Sequence, residues 1–173
     1  MSFSLYDQSV TSSLQTLGGV ATVLTKGAQF AAENGIGLDD IVRYKLRDDM
    51  APFSFQVISV WHHSLGAIEG LKKGEFQPPP KMSDMSYQDL QGLVQEATVR
   101  LKGESREDID ALADGPLIFK VGGSETPFIA RYFIQSFSLP NFYFHATTTY
   151  VVLREHGVPL GKMDYLGQLR VNI

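Results

Sequence analysis

Apolar residues recur at alternating spacings of three and four along much of this chain, which is the pattern of amphipathic helices. The stripe is longest between residues 4 and 33, where it consists of Val10, Leu14, Leu17, Ala21, Leu24, Ala28 and Ala31. Gly18-Gly19 interrupts it, and mid-helix glycine costs about 1 kcal/mol per residue. The pair therefore predicts a kink or a close helix crossing, and Asn34-Gly35 predicts the end of the helix.

Three further long helices are predicted by the same spacing. The second covers residues 52–73, and Pro78-Pro79-Pro80 cannot continue it. Ser86 begins the third, whose stripe reaches Leu101. The fourth follows a break or kink at residues 139–141 and continues to about Glu155, where Gly157 and Pro159 end it.

The shorter segments complete a bundle. Residues 38–45 predict a short helix, 103–114 a connection with up to one helical turn, and 132–137 one or two helical turns. Residues 117–121 and 124–129 predict a β-hairpin around Gly122-Gly123, whereas the end of the chain to residue 173 shows little periodicity. We therefore expect a single all-α domain over residues 1–173, a four-helix bundle with a small β-hairpin before the last long helix.

Composition and charge exclude several classes of function. The chain has 173 residues, no cysteine and a formal charge of −4, so disulfides, thiolate nucleophiles and cysteine-ligated metals are excluded. Its lysines and arginines are scattered, which argues against a nucleic-acid partner. Because neither a signal-peptide pattern nor an apolar run of about 20 residues occurs, we expect a cytoplasmic protein without a membrane partner.

Candidate chemistry centres on the four histidines, His62, His63, His145 and His156. A rotation of about 100° per residue places His63 opposite the apolar stripe of the second helix, on the face of Gln56 and Gly66. The small residue beside His63 leaves space for another helix backbone or for a pocket wall. The same rotation predicts that His62 faces solvent. Each histidine also has a plainer interpretation, as a packing residue for His63 and His145 and as a surface residue for His62 and His156.

The fourth helix carries a mostly polar strip between two apolar flanks. The strip consists of Asn141, His145, Thr148, Thr149, Val152 and His156. Its position predicts partial burial, and buried polar groups require partners from another helix, water or a ligand. His145 and His156 are about 16 Å apart along the helix axis, so they cannot bind one ion together.

Several segments of the chain carry recognisable motifs. In the first half these are S-L-Y-D-Q-S at the start of the chain, the loop around Asp49-Met50 and His63-Ser64-Leu65-Gly66-Ala67. In the second half they are Leu139-Pro140-Asn141-Phe142-Tyr143-Phe144-His145, the T-T-x-Y after it and Gly161-Lys162-Met163-Asp164-Tyr165-Leu166-Gly167. Together they resemble an uncharacterised, domain-of-unknown-function family of the DinB/YfiT-like superfamily. The resemblance covers nearly the whole chain, and the L-P-N-F-Y-F-H segment is its most specific part.

The resemblance implies a DinB-like bundle, often a homodimer, in which three histidines bind nickel or zinc. By position, His63 matches the ligand from the second helix, and His145 matches the first histidine of an H-x-x-x-H pair. Several superfamily members are considered metal-dependent thiol transferases or hydrolases. Here Thr149 occupies the position of the third histidine. Since zinc sites normally have three good protein ligands, we expect weak metal binding or none at His63 and His145.

Three hypotheses follow. The first is a bundle with a degenerate metal site that binds a small molecule or a partner between the second and fourth helices, at His63, Gly66, Asn141, His145 and Thr149. The second is a divalent-metal-dependent transferase or hydrolase in which metal-bound water is the nucleophile. The third is a non-catalytic interaction protein whose bundle forms a homodimer.

Overall fold

The computed structural model describes residues 4–171 and has the predicted bundle as its framework. Four long helical stretches form it. The first is α1 (Ser12–Asn34), preceded by a π-helical turn (Asp7–Thr11). The second runs through α3 (Phe53–Trp61), a π-helical turn (His62–Gly66) and α4 (Ala67–Lys73), and the third is α5 (Tyr87–Lys102). The fourth runs through α7 (Ala130–Phe133), a π-helical turn (Ile134–Ser138) and α8 (Leu139–Glu155). Short helices α2 (Leu38–Arg43), α6 (Arg106–Ala111) and α9 (Lys162–Leu166) lie in the connections.

Local signals set the predicted helix ends. Ser86 is the N-cap of α5: its side chain accepts from the Asp89 backbone N–H, and Asp89 accepts from the Ser86 backbone N–H at 2.9 Å. This reciprocal pair is a capping box. Gly35 ends α1 in the left-handed conformation, with φ of 67°. Both boundaries confirm the sequence prediction.

The apolar faces of the long helices meet in one core. Large side chains that are almost fully buried come from every long helix and include Leu17, Leu24, Phe53, Leu65, Leu90 and Phe142. Full burial of such a side chain contributes roughly 1.5–3 kcal/mol, so these stripes supply most of the free energy that holds the bundle together. No described helix is both long and apolar enough to cross a membrane.

A three-stranded sheet covers one end of the bundle. Its strands are β1 (Glu75–Phe76), β2 (Pro116–Val121) and β3 (Ser124–Ile129), in the order β1-β2-β3. The predicted hairpin is β2-β3, with Val121 opposite Ser124 across two glycines of positive φ. The parallel pairing of β1 with β2 was not predicted, because a two-residue strand has no detectable period.

Pro140 does not interrupt the fourth helical stretch, although a break or kink was predicted there. The π-helical turn Ile134–Ser138 comes directly before it, and α8 then continues without interruption. Proline lacks the backbone N–H that an α-helical turn uses, so a place where the helix is already wider accommodates it.

The end of the chain is more ordered than its lack of periodicity predicted. Helix α9 packs along α1. It is held there by the contact of Lys26 Nζ with Asp164 Oδ1 at 2.7 Å and by the hydrogen bond from Gln15 Nε2 to the Leu166 carbonyl at 3.1 Å. The predicted close crossing at Gly18-Gly19 is therefore a contact with α9. A Cβ atom on Gly19 would overlap the carbonyl oxygen of Tyr165, whereas one on Gly18 would meet nothing within 4 Å.

The two neighbouring glycines make a matched test of this contact. We expect Gly19→Ala to lower the free energy of unfolding by about 1–3 kcal/mol, the range of an overpacked contact, because backbone must move to admit the methyl group. Gly18→Ala should be neutral or raise stability by up to about 1 kcal/mol through helix propensity. Urea unfolding of both variants measures this, and equal effects of the two changes would contradict the proposed role of Gly19.

Candidate functional site

Two π-helical turns meet at His63. Ser138, at the end of the Ile134–Ser138 turn, donates its hydroxyl to the His63 backbone carbonyl at 2.9 Å. His63 itself lies in the His62–Gly66 turn. π-helical turns inside α-helices occur frequently at functional sites. Here one such turn contains His63 and the other binds its backbone carbonyl.

The prediction that His62 faces solvent is wrong. His62 and His63 are 8% and 9% exposed, so both lie inside the protein. The prediction assumed 3.6 residues per turn, whereas the His62–Gly66 segment is wound as a π-helix with more residues per turn. This local change of rotation turns two successive side chains toward the interior.

Three imidazoles form a row across the bundle, which we call the histidine row: His62, His63 and His145. The ring centroids of His62 and His63 are 5.6 Å apart, and those of His63 and His145 are 6.1 Å apart with nearly parallel planes. Phe76 and Phe137 enclose His63, with centroids at 5.6 and 5.7 Å. The centre of the row is therefore largely apolar.

Fixed acceptors decide which ring nitrogens carry protons. His145 Nδ1 donates to Gln56 Oε1 at 2.8 Å, and the Gln56 amide is oriented by its own bond to the Ala51 carbonyl at 3.0 Å. His62 Nε2 donates to the Gln77 carbonyl at 2.7 Å. A neutral imidazole has one N–H, so the lone pairs are on His145 Nε2 and His62 Nδ1. Neither nitrogen has a hydrogen-bond partner among residues 4–171.

Burial keeps the row uncharged. It lowers the pKa of His63 to about 3, with further lowering from the neighbouring His62 and His145. Burial likewise lowers the pKa of His145 to about 4. The pKa of His62 is lowered by burial too, although the Gln77 carbonyl and Glu69 oppose that effect. At neutral pH the three rings are therefore hydrogen-bond acceptors rather than cations.

The structure brings together some of the predicted site residues. His63 and His145 are adjacent, as the resemblance implied. Asn141 and Thr149 lie on the same helix, but the Asn141 amide donates to the Phe137 carbonyl at 2.7 Å and the Thr149 hydroxyl to the His145 carbonyl at 2.9 Å. One amide N–H of Asn141 and the hydroxyl proton of Thr149 are thus used within the helical stretch.

Gly66 lies beside His62 rather than between the helices of His63 and His145. A Cβ atom there would be 2.8 Å from His62 Nδ1. Gly66 and His62 open onto a cavity of about 510 Å³ between the second long helix and the segment after β1. Its lining consists of Trp61, His62, Gly66, Glu69, Gly70, Lys73, Glu75, Phe76, Gln77, Pro78 and Pro80.

Sequence reasoning missed four contributors to this site. Gln56 was noted only for sharing a face with His63, and that shared face was the available signal for its role. Ser138, Phe76 and Gln77 come from a second π-helical turn, a two-residue strand and a loop. No periodicity in the sequence distinguishes these positions.

The residues around His63 and His145 do not fit a three-ligand metal centre. These two imidazoles are present, but the Thr149 hydroxyl is bound to backbone, and Glu69 is bound to Arg100. Within the described part of the chain, no three histidine, aspartate or glutamate side chains cluster as metal ligands would. Zinc normally requires three good protein ligands in a catalytic site, so this donor set does not support a metal-dependent step.

Comparison with known proteins agrees with this architecture. A family model with the description "Domain of unknown function (DUF1993)" matches residues 5–166. The crystal structure of a DinB family member from Shewanella denitrificans superposes with a TM-score of 0.81 at 24% identity, covering 98% of this chain and 95% of that one. That likeness establishes the DinB-like, mainly α-helical fold. No curated protein matches the sequence.

The lowered histidine pKa values predict that the protein loses stability in acid. Unfolded histidines bind protons below about pH 6.5, whereas His63 and His145 in the folded protein bind them only near pH 3 and 4. The unfolded state therefore takes up more protons between these limits, and stability falls as the pH drops from 6.5 toward 4. Each pKa unit corresponds to roughly 1.4 kcal/mol.

Urea unfolding at several pH values measures this slope. His63→Asn, which keeps an amide near Ser138 but does not titrate, should flatten it even if the variant is less stable at pH 7. An unchanged slope in the variant would contradict the assignment of this acid sensitivity to His63.

Proposed function

This chain belongs to the Domain of unknown function (DUF1993) family, and from its cavity geometry we propose that it binds a small, neutral organic molecule that donates a hydrogen bond to His62. The observation that carries the proposal is His62 Nδ1. It bears a lone pair because the other ring nitrogen donates to the Gln77 carbonyl. It lies at the wall of the 510 Å³ cavity, next to a glycine without a side chain.

The walls of the cavity favour a ligand with a flat apolar face. Trp61, Phe76 and Pro78 provide carbon surfaces around the single imidazole acceptor. Ligand sites are usually apolar concavities in which a few polar groups fix the orientation of the ligand. Phe76 also packs against the His62 ring, with centroids 4.5 Å apart, and so holds the imidazole in one position.

Charge at the cavity favours a neutral ligand. Glu69 is paired with Arg100 and Glu75 with Lys120, so both carboxylates are neutralised by bases outside the cavity. His62 stays uncharged at neutral pH because burial lowers its pKa. Lys73 also lines the cavity, but it is exposed to solvent, where water and salt screen its charge. A charged ligand beside His62 would therefore be desolvated without a buried opposite charge, which is costly.

The pocket predicted between the second and fourth helices stays a separate hypothesis. Of its five residues, Gly66 lines the cavity, and His63 lies directly behind His62 in the row. Metal-dependent transfer or hydrolysis stays the alternative, and the donor set at His63 and His145 does not support it. A cytoplasmic location is likewise part of the proposal.

We further propose that a second copy of this chain covers the outer face of α8. Phe144 is 58% exposed and Val151 40% exposed. With Leu46, Pro140 and Tyr143 they surround an open groove of about 420 Å³. Contiguous exposed apolar surface of this kind marks interaction sites, and most soluble oligomers are symmetric homodimers. Such a dimer would also shield His145, which lies beside Phe144, and Phe55, which packs against His145.

Phenol and anisole make a matched pair of probes for the cavity, since both have an aromatic ring and only phenol donates a hydrogen bond. We expect phenol to cause saturable amide shifts around His62 and Gly70 in ¹H–¹⁵N spectra, with anisole about tenfold weaker because a donor to imidazole is worth about 1.5 kcal/mol. Gly66→Ala should abolish the effect by crowding Nδ1. Gly92→Ala on α5, whose Cβ would meet nothing within 4 Å, is the control.

Equal binding of the two probes, or unchanged binding in Gly66→Ala, would refute the His62 site. Zinc and nickel titrations of the same sample address the alternative. A stoichiometric ion that His63→Asn abolishes would favour the metal-dependent hypothesis instead.

The homodimer is tested by light scattering after size-exclusion chromatography. Phe144→Asp should convert a dimer to a monomer, because burial of an aspartate at an apolar interface is unfavourable. Val99→Asp is the matched control, since Val99 on α5 is 57% exposed but lies outside the α8 groove. A monomeric wild type, or a Phe144→Asp variant that remains dimeric, would refute this interface.

A further inference from the structure

A second, smaller cavity lies where α1, α8 and α9 meet, away from the histidine row. Its volume is about 190 Å³. The lining consists of Ser12, Gln15, Thr16, Tyr143, Tyr165, Leu166 and Arg170. It brings together the segments around Tyr143 and Tyr165, which the site at His62 does not use. The walls carry hydroxyls and one guanidinium, and no carboxylate.

The charge of this cavity is uncompensated. Arg170 has no ion-pair partner within residues 4–171. Asp164, on the neighbouring helix, is already bound to Lys26 and to the Gly161 backbone N–H. The cavity therefore presents a positive charge with nothing on its walls to neutralise it.

Thr16 supplies a buried donor. The residue is only 8% exposed, yet its hydroxyl has no hydrogen-bond partner in the described part of the chain. The Thr16 hydroxyl nevertheless remains accessible. Among described residues, the fully buried side-chain atom that lacks a hydrogen-bond partner is Arg131 Nε, so the unpartnered hydroxyl of Thr16 is not fully buried. The hydroxyl thus opens onto accessible space, and buried polar groups usually have partners.

Two phenols complete the set of donors. Tyr165 Oη accepts from Thr147 Oγ1 at 3.1 Å, so its own proton is available to another acceptor. Burial raises the pKa of Tyr143, and the Ser12 hydroxyl and the Arg170 charge act against that rise, which places both groups close to the Tyr143 phenol. Gln15 Nε2 is used on the Leu166 carbonyl and holds α9 in place.

We propose that this cavity binds a small oxyanion, a carboxylate or a phosphate group. Arg170 supplies the charge, and Tyr143, Tyr165 and Thr16 supply neutral donors around it. Hydrogen bonds in which one partner is ionised are about twice as strong as neutral ones, so an anion satisfies this wall better than water does. The cavity has room for a small anionic head group and not for a nucleotide or a peptide.

Inorganic phosphate and acetate serve as probes, each titrated into the full chain at constant ionic strength with chloride as the balancing ion. We expect saturable amide shifts near Thr16 and Tyr165 for at least one of the two. Arg170→Gln should weaken binding about tenfold or more, the factor that corresponds to a charged hydrogen bond. Arg47→Gln is the matched control, because the Arg47 side chain is likewise exposed and has no ion-pair partner among the described residues, but it does not line the cavity.

Two milder variants test the neutral donors. Tyr143→Phe and Thr16→Val keep the shape of the wall and should each weaken binding several-fold. Saturation by phosphate alone would identify a phosphoryl ligand, by acetate alone a carboxylate, and by both a general oxyanion site. Shifts that fail to saturate, that chloride reproduces, or that Arg170→Gln leaves unchanged would overturn the proposal. None of these variants touches the cavity at His62, so the two sites are judged separately.

Discussion

Burial of uncharged imidazoles inside an aromatic interior is the constraint on which the centre of this bundle depends. Burial favours the neutral form of all three rings, because a protonated ring would stand among apolar groups, and Glu69, the carboxylate that acts on His62, is already paired with Arg100. Each end of the row therefore requires an acceptor in a fixed position. Gln56 provides one from within α3, and the Gln77 carbonyl provides the other from beyond the helix.

That requirement connects the helices to the sheet. The Gln77 carbonyl is in place because β1 pairs with β2, which sets the path of the chain after α4. Gly70 packs against Phe76, where a Cβ atom would come within 3.0 Å of the ring. The same short segment thus supplies the acceptor for His62, the aromatic wall around His63 and one side of the larger cavity. The hairpin is therefore part of the support for the histidines.

Much of this arrangement was accessible from the sequence, and the misses have a common cause. The four helical stripes, the helix start at Ser86 and the glycine turn of the hairpin are local patterns, and each was predicted within a few residues. The adjacency of His63 and His145 came from the family resemblance. The inward turn of His62 was missed because helical periodicity assumes a constant rotation, and the π-helical turn changes it. The docking of α9 was missed because it depends on absent side chains at Gly19 and on contacts between segments far apart in the chain.

The bare surface at Gly18-Gly19 has a consequence for how the protein emerges from the ribosome. The carbonyl of Tyr165 that covers Gly19 is synthesised about 146 residues later. At a synthesis rate of 5–20 residues per second, between about 7 and 30 s pass before α9 can pack against α1. An apolar stripe left open for that interval would invite aggregation or capture by chaperones. The two glycines expose only backbone that is already hydrogen-bonded within the helix. The surface of α1 that later binds α9 therefore presents no apolar side chain there while the chain is being synthesised.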